Sequence, residues 1–90
     1  MDKLQVDQID NDVLIKFNPE WMECIGEFIT YLPKVRVNQL VVEGQVLASM
    51  ETSRCIATIK APMNAKIISI ERNVVDDPHN KILFIFKSRP

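Results

Sequence analysis

Arg54 is the residue whose placement says most about chemistry. It lies ten residues after Gly44 and eight before Pro62, at the end of Glu51-Thr52-Ser53-Arg54, between the apolar runs 46–51 and 55–61. A polar tetrapeptide between two apolar runs predicts a hairpin whose turn includes Arg54. A primary amine at such a tip can lose its charge and be acylated. A guanidinium stays protonated and delocalised, so no amide forms there. What it offers is a fixed cation that can hold a carboxylate through two parallel hydrogen bonds. Glu51, Ser53 and Arg54 are therefore the candidate partner-binding residues, flanked by Met50 and Cys55. The alternative is an arginine that sits in solvent at a turn and contributes little.

Other groups are weaker candidates. The single histidine, His79, follows Asp76-Asp77-Pro78 in a polar loop. Three donors on one loop lack the fourth fixed ligand of a structural zinc site, so a solvated loop is expected. Ser49, Thr52 and Ser53 have no histidine at the spacing of a nucleophile and its base, and two glycines are too few for a phosphate-cradling loop. The sequence thus predicts no catalytic residue, no metal ligand and no enzyme. Lys60 lies six residues past the tip, within a strand, and should face solvent between Ile59 and Ala61. Two cysteines, Cys24 and Cys55, are too few for a disulfide framework and are expected as reduced thiols. Cys55 adjoins Arg54, which could activate it, but a small buried side chain beside the turn is the expected role.

The elements that must position this tip follow from period-two alternation. Leu4, Val6 and Ile9 predict one strand, Asp10-Asn11-Asp12 a turn, and Val13 to Phe17 a second strand. Asn18-Pro19-Glu20 is a helix start: a capping amide, proline at the first position and an acid in the first turn. Gly26 is the natural stop, giving a short helix over 19–25 that buries Trp21, Met22 and Ile25. Further strands are expected over 27–32, 46–51, 55–61, 66–71 and 81–87, with a polar loop over 72–80. The expected core includes Trp21, Ile29, Val46, Ile56, Ile68 and Ile85. Short strands at this spacing with one helix predict an all-β barrel or sandwich.

Ninety residues with 47% hydrophobic and 26% charged side chains predict a single domain over 1–90. A net charge of −1 with no basic stripe argues against nucleic acid as a partner. No apolar run approaches the roughly 18 residues of a membrane span, and the acidic, alternating N-terminus resembles neither a signal nor a transit peptide. A cytoplasmic protein is the expectation.

Beyond the hairpin, Asn18-Pro19-Glu20-Trp21-Met22-Glu23-Cys24-Ile25-Gly26-Glu27-Phe28-Ile29 is similar to the Thr-Asp-Tyr-Ala-Gln-x-x-Leu-Gly-Asp-Ile segment of the glycine cleavage system H protein. Leu32-Pro33-Lys34-Val35 resembles that family's Leu-Pro-Glu-Val, and Glu71 to Pro78 resembles its Asn-x-x-Leu-x-x-x-Pro. The hairpin, with Glu51 three before position 54, resembles the lysine-bearing hairpin of lipoyl and biotinyl carriers. The resemblance implies a biotinyl/lipoyl-type barrel-sandwich hybrid with the acceptor hairpin at one tip. It also implies Arg54 in the place of the lipoyl-acceptor lysine, so lipoate is expected in the family but not here, and no cofactor is expected.

The sequence departs from the family elsewhere. Ala65 stands where the family's Pro-x-x-Gly turn has glycine, which leaves Asn64 for any positive-φ role. The stretch before Gly44 is about two residues longer, and the family's Asn-x-Asp-Pro-Tyr-Gly-x-Gly-Trp stretch after Pro78 and its C-terminal helix have no counterpart. In the family that stretch lies close to the tethered arm. The resemblance implies a non-lipoylated H-protein-like domain acting by protein–protein contact, with glycine cleavage or lipoate-transfer proteins as partners. The alternatives are an authentic H protein with an altered acceptor, and a structural subunit of a larger assembly that pairs through an exposed strand edge.

Overall fold

A computed structural model describes residues 1–88. The order is β1 (Leu4–Ile9), β2 (Asp12–Phe17), α1 (Pro19–Ile25), β3 (Phe28–Pro33), β4 (Leu40–Val41), β5 (Val46–Thr52), β6 (Ile56–Lys60), β7 (Ala65–Ile70) and β8 (Phe84–Ser88). The helix begins and ends where its caps dictate. Asn18 Oδ1 accepts the Glu20 N–H at 3.0 Å, Pro19 occupies the first turn, and Gly26 stops the helix at φ 79°. Met22 and Ile25 are buried and Trp21 is half-buried against Phe17, ring centroids 5.9 Å apart.

The strands form two antiparallel sheets, one ordered β1-β2-β8-β7-β4 and the other β3-β5-β6. The fold is the expected all-β barrel-sandwich hybrid with one short helix. Val13, Ile15, Ile67, Phe84 and Phe86 of the larger sheet share one core with Leu47, Met50 and Ile59 of the smaller. The connecting segments supply Val74 and Leu83.

The expected core residues are largely corrected. Ile29 is 53% exposed, Val46 38%, Ile56 83% and Ile68 39%, while Trp21 and Ile85 are half-buried. The physical reason is register. The ladder shifts between Phe28 and Thr30, between Val46 and Ala48, and between Ile67 and Ser69. A bulge inserts one unpaired residue, so a two-residue period counted through it reaches the wrong face. Ile29, Val46 and Ile68 each lie in or beside such a shift. Ile56 is different: it starts β6 opposite Glu51, on the outer face. The residues that fill the core instead are their neighbours, Tyr31, Leu47, Ile59 and Ile67.

Asn64 does not take a positive φ either; outside glycine that backbone conformation falls on Asp10 and Asn38. Asn64 instead uses its side chain, Oδ1 accepting the Glu43 N–H at 2.8 Å, and Ala65 starts a regular strand with no need of glycine. Tyr31 carries the one orphaned polar atom among the described residues. Its hydroxyl is buried without a hydrogen-bond partner, and burial pushes the phenol well above its ordinary pKa.

Candidate functional site

The β5–β6 connection is a tight turn over Thr52-Ser53-Arg54-Cys55, closed by the Thr52 N–H donating to the Cys55 carbonyl at 2.8 Å. Thr52 is the only buried polar or charged residue among those described. Its hydroxyl donates to the Ile25 carbonyl at the end of α1. The same oxygen accepts the backbone N–H groups of Arg54 at 3.2 Å and Cys55 at 3.1 Å. A threonine at the first position of a turn can do this because its short side chain reaches the backbone two and three residues on. One hydroxyl therefore shapes the turn and ties it to the helix.

Ser53 makes the second tether. Its Oγ accepts the Glu27 N–H at 3.0 Å, and its own N–H donates to the Glu27 carbonyl at 2.8 Å. Gly26 lies directly beneath: a Cβ there would overlap Ser53 Oγ and come within 3.2 Å of Arg54 Cγ. The missing side chain is what lets the turn seat on the α1–β3 junction. The Arg54 stem lies over this glycine while the residue as a whole stays exposed, and Arg54 forms no ion pair among the described residues.

The three expected site residues thus lie close in the chain but face different surroundings. Arg54 is free at the tip. Ser53 is exposed, with its hydroxyl already engaged by Glu27. Glu51 points from the outer face of the smaller sheet, in register with Thr30 and Ile56. Met50 is buried and Cys55 half-buried, its Sγ 3.5 Å from Thr52 Oγ1. Sequence reasoning missed Thr52 and the contact face of Gly26. Thr52 carried a usable signal, a threonine opening a four-residue turn; the Gly26 contact joins segments 27 residues apart and carried none.

The remaining candidates occupy separate places. Lys60 is exposed at the end of β6, opposite Val46, as the alternation required. His79 is exposed in the loop after β7, where Asn80 Nδ2 donates to both carboxylate oxygens of Asp77 at 3.0 and 3.2 Å. Among the described residues no group of three or more His, Cys, Asp or Glu could hold a metal ion. Both cysteines are free thiols, and among the described residues no helix is long and apolar enough to cross a membrane.

No family model matches the sequence, and no curated protein matches it. Among solved structures the chain is similar to a glycine cleavage system H protein from Mycobacterium marinum. The TM-score is 0.68 at 20% identity, covering 93% of this chain and 70% of that one. At that identity the likeness establishes the fold: this chain has the architecture of that H protein, with the β5–β6 turn at one end of the smaller sheet.

Proposed function

We propose that residues 1–90 form a non-lipoylated H-protein-like domain that acts through protein–protein contact rather than catalysis. Arg54 is the charged centre of the contact surface, with Glu51 and Ser53 beside it. The partners are proteins of the glycine cleavage or lipoate-transfer machinery, met in the cytoplasm. The observation that carries the reading is the pairing of an H-protein-like fold with an exposed arginine at the tip of the β5–β6 hairpin. The guanidinium cannot be acylated to a stable amide, yet it can hold an acidic surface. Ser53 contributes by fixing the turn against Glu27, so that Arg54 is presented from a rigid base.

The test has two parts. Intact mass after expression in a lipoylating host should equal that of the bare chain; a gain of one lipoyl group at any position refutes the non-lipoylated reading. Purified glycine cleavage and lipoate-transfer proteins should then be captured by the wild-type chain and poorly by Arg54→Glu, with the difference shrinking at high salt. The Debye length falls from about 8 Å at physiological ionic strength to about 3 Å at 1 M, which screens an exposed ion pair. Equal capture at both salts would retire the tip as a binding surface.

A further inference from the structure

The two sheets are unequal, and the inequality leaves one seam of the sandwich uncovered. The larger sheet has five strands and the smaller three, with β1 and β6 as edge strands. Lys3 Nζ reaches across from the start of β1 to the Thr58 carbonyl of β6 at 3.3 Å, so the two edges flank one gap. Leu4 and Val6 are paired with Phe17 and Ile15, hence on the core-facing side of β1. Val6 is nevertheless 45% exposed, and it lines the gap between the two edges. The gap is a groove of about 500 Å³ lined by Leu4, Val6, Ile59 and Pro62, with two cations, Lys3 and Lys60, and one acid, Asp2, at its polar margin.

The backbone of β6 on this side is unpaired. Thr52 N–H bonds the Cys55 carbonyl, and antiparallel ladders alternate bonded and non-bonded pairs. Counting from Thr52/Cys55, the pairs Glu51/Ile56 and Ser49/Thr58 are non-bonded, so Ile56 and Thr58 turn their N–H and C=O groups away from β5. Lys60 follows by the same alternation. The contact of Lys3 with the Thr58 carbonyl agrees with this direction. One lysine amine is a partial answer to a free edge, which carries donors as well as acceptors.

We infer that the free edge of β6 accepts an extended acidic segment of a partner protein as a fourth strand of the smaller sheet. Main-chain bonds to Ile56, Thr58 and Lys60 supply the pairing. Apolar side chains on the inward face of the segment cover Leu4 and Val6, and carboxylates on its flanks meet Lys3 and Lys60, with the Lys3–Thr58 contact exchanged for the ladder. This surface lies beside the hairpin tip but does not depend on Arg54.

The probe is an acetylated, amidated peptide of about eight residues alternating valine and glutamate, a usual strand length. It is added to the isotopically labelled full chain. The expected result is slowed amide exchange at Ile56, Thr58 and Lys60. Lys3→Glu with Lys60→Glu should weaken binding by about tenfold or more, since like charges then face each other. N-methylating the peptide amides on the edge that meets β6 should abolish binding, whereas N-methylation on the opposite edge should preserve it. This control needs no change in the protein. Equal binding of both methylated peptides, or no protection of the β6 amides at saturation, overturns the proposal and leaves Lys3 as an edge guard only. Protection of those amides in the free chain with dimeric mass also overturns it, because a second copy is then the occupant.

Discussion

Replacing Thr52 by valine exchanges its hydroxyl for a methyl group at nearly constant shape, and the structure predicts a large effect. The hydroxyl donates to the Ile25 carbonyl and accepts the N–H groups of Arg54 and Cys55. In Thr52→Val the Ile25 carbonyl loses its side-chain donor in a buried setting, which costs about 1–3 kcal/mol. The two N–H groups are partly buried, and losing their acceptor costs about 0.5–1.5 kcal/mol for each that water cannot reach. Valine gains apolar burial and strand preference, together worth up to about 1 kcal/mol. The net expectation is a loss of about 2–3 kcal/mol. In a domain of this size that lowers the melting temperature by roughly 10–20 °C. Thr52→Ser keeps the oxygen and should lose far less. The assay is urea unfolding of the three chains with amide exchange measured at Arg54 and Cys55, which should become faster in Thr52→Val alone. Stability of Thr52→Val within about 0.5 kcal/mol of wild type, the range of ordinary surface changes, would falsify the claim that this hydroxyl anchors the tip.

Three further outcomes follow from particular residues. Ile59 is fully buried and Ile56 is 83% exposed three residues earlier. Ile59→Ala should therefore cost about 2–5 kcal/mol and Ile56→Ala less than about 0.5, measured by chemical unfolding; similar losses at both sites would contradict the register. Burial raises the Tyr31 phenol above its unfolded value of about 10, so stability is full below that pH and falls as pH rises above it, because the unfolded chain releases the proton first. Tyr31→Phe also removes an orphaned hydroxyl, so it should be neutral or stabilising at neutral pH and should flatten the alkaline decline; an unchanged alkaline slope argues against it. Arg54→Lys places an amine at the tip but leaves Ala65 at the position of the resembled family's turn glycine and no counterpart of its stretch after Pro78, so little lipoylation by a purified ligase is expected, and efficient modification would show that only the amine was missing.

Local signals were legible wherever one segment contained the whole cause. Asn18, Pro19 and Gly26 set both ends of α1 because capping and backbone freedom act within one turn. Seven of the eight strands were legible as strands for the same reason; β4, two residues long, was not. Their inner faces were not, because a bulge depends on how two strands pair, and pairing is absent from either strand alone. Ile67 and Ile68 are chemically identical neighbours, and only the shift against β8 decides that Ile67 is the one inside. Tyr31 was illegible for a related reason: an orphaned phenol is the property of a pocket, not of a tyrosine.

The hairpin tip joins both cases. Its position could be read from the polar tetrapeptide between two apolar runs and from the resemblance to a carrier hairpin, and the structure puts Arg54 in solvent there. Its rigidity could not, because the tethers come from Ile25, Gly26 and Glu27, which the chain reaches only by folding back. Rigidity alone does not separate a used tip from an idle one, since the same tethers stabilise the fold. The charge does. If Arg54 is idle, reversing it alters neither stability nor capture, whereas Thr52→Val alters stability without a partner being present. If Arg54 is used, Arg54→Glu lowers capture at unchanged stability. Thr52→Val, at a temperature where it is still folded, then lowers capture as well, because a loosened turn must be ordered again on binding. Loss of capture in both variants, with loss of stability in only one, is the pattern that assigns binding to the tip.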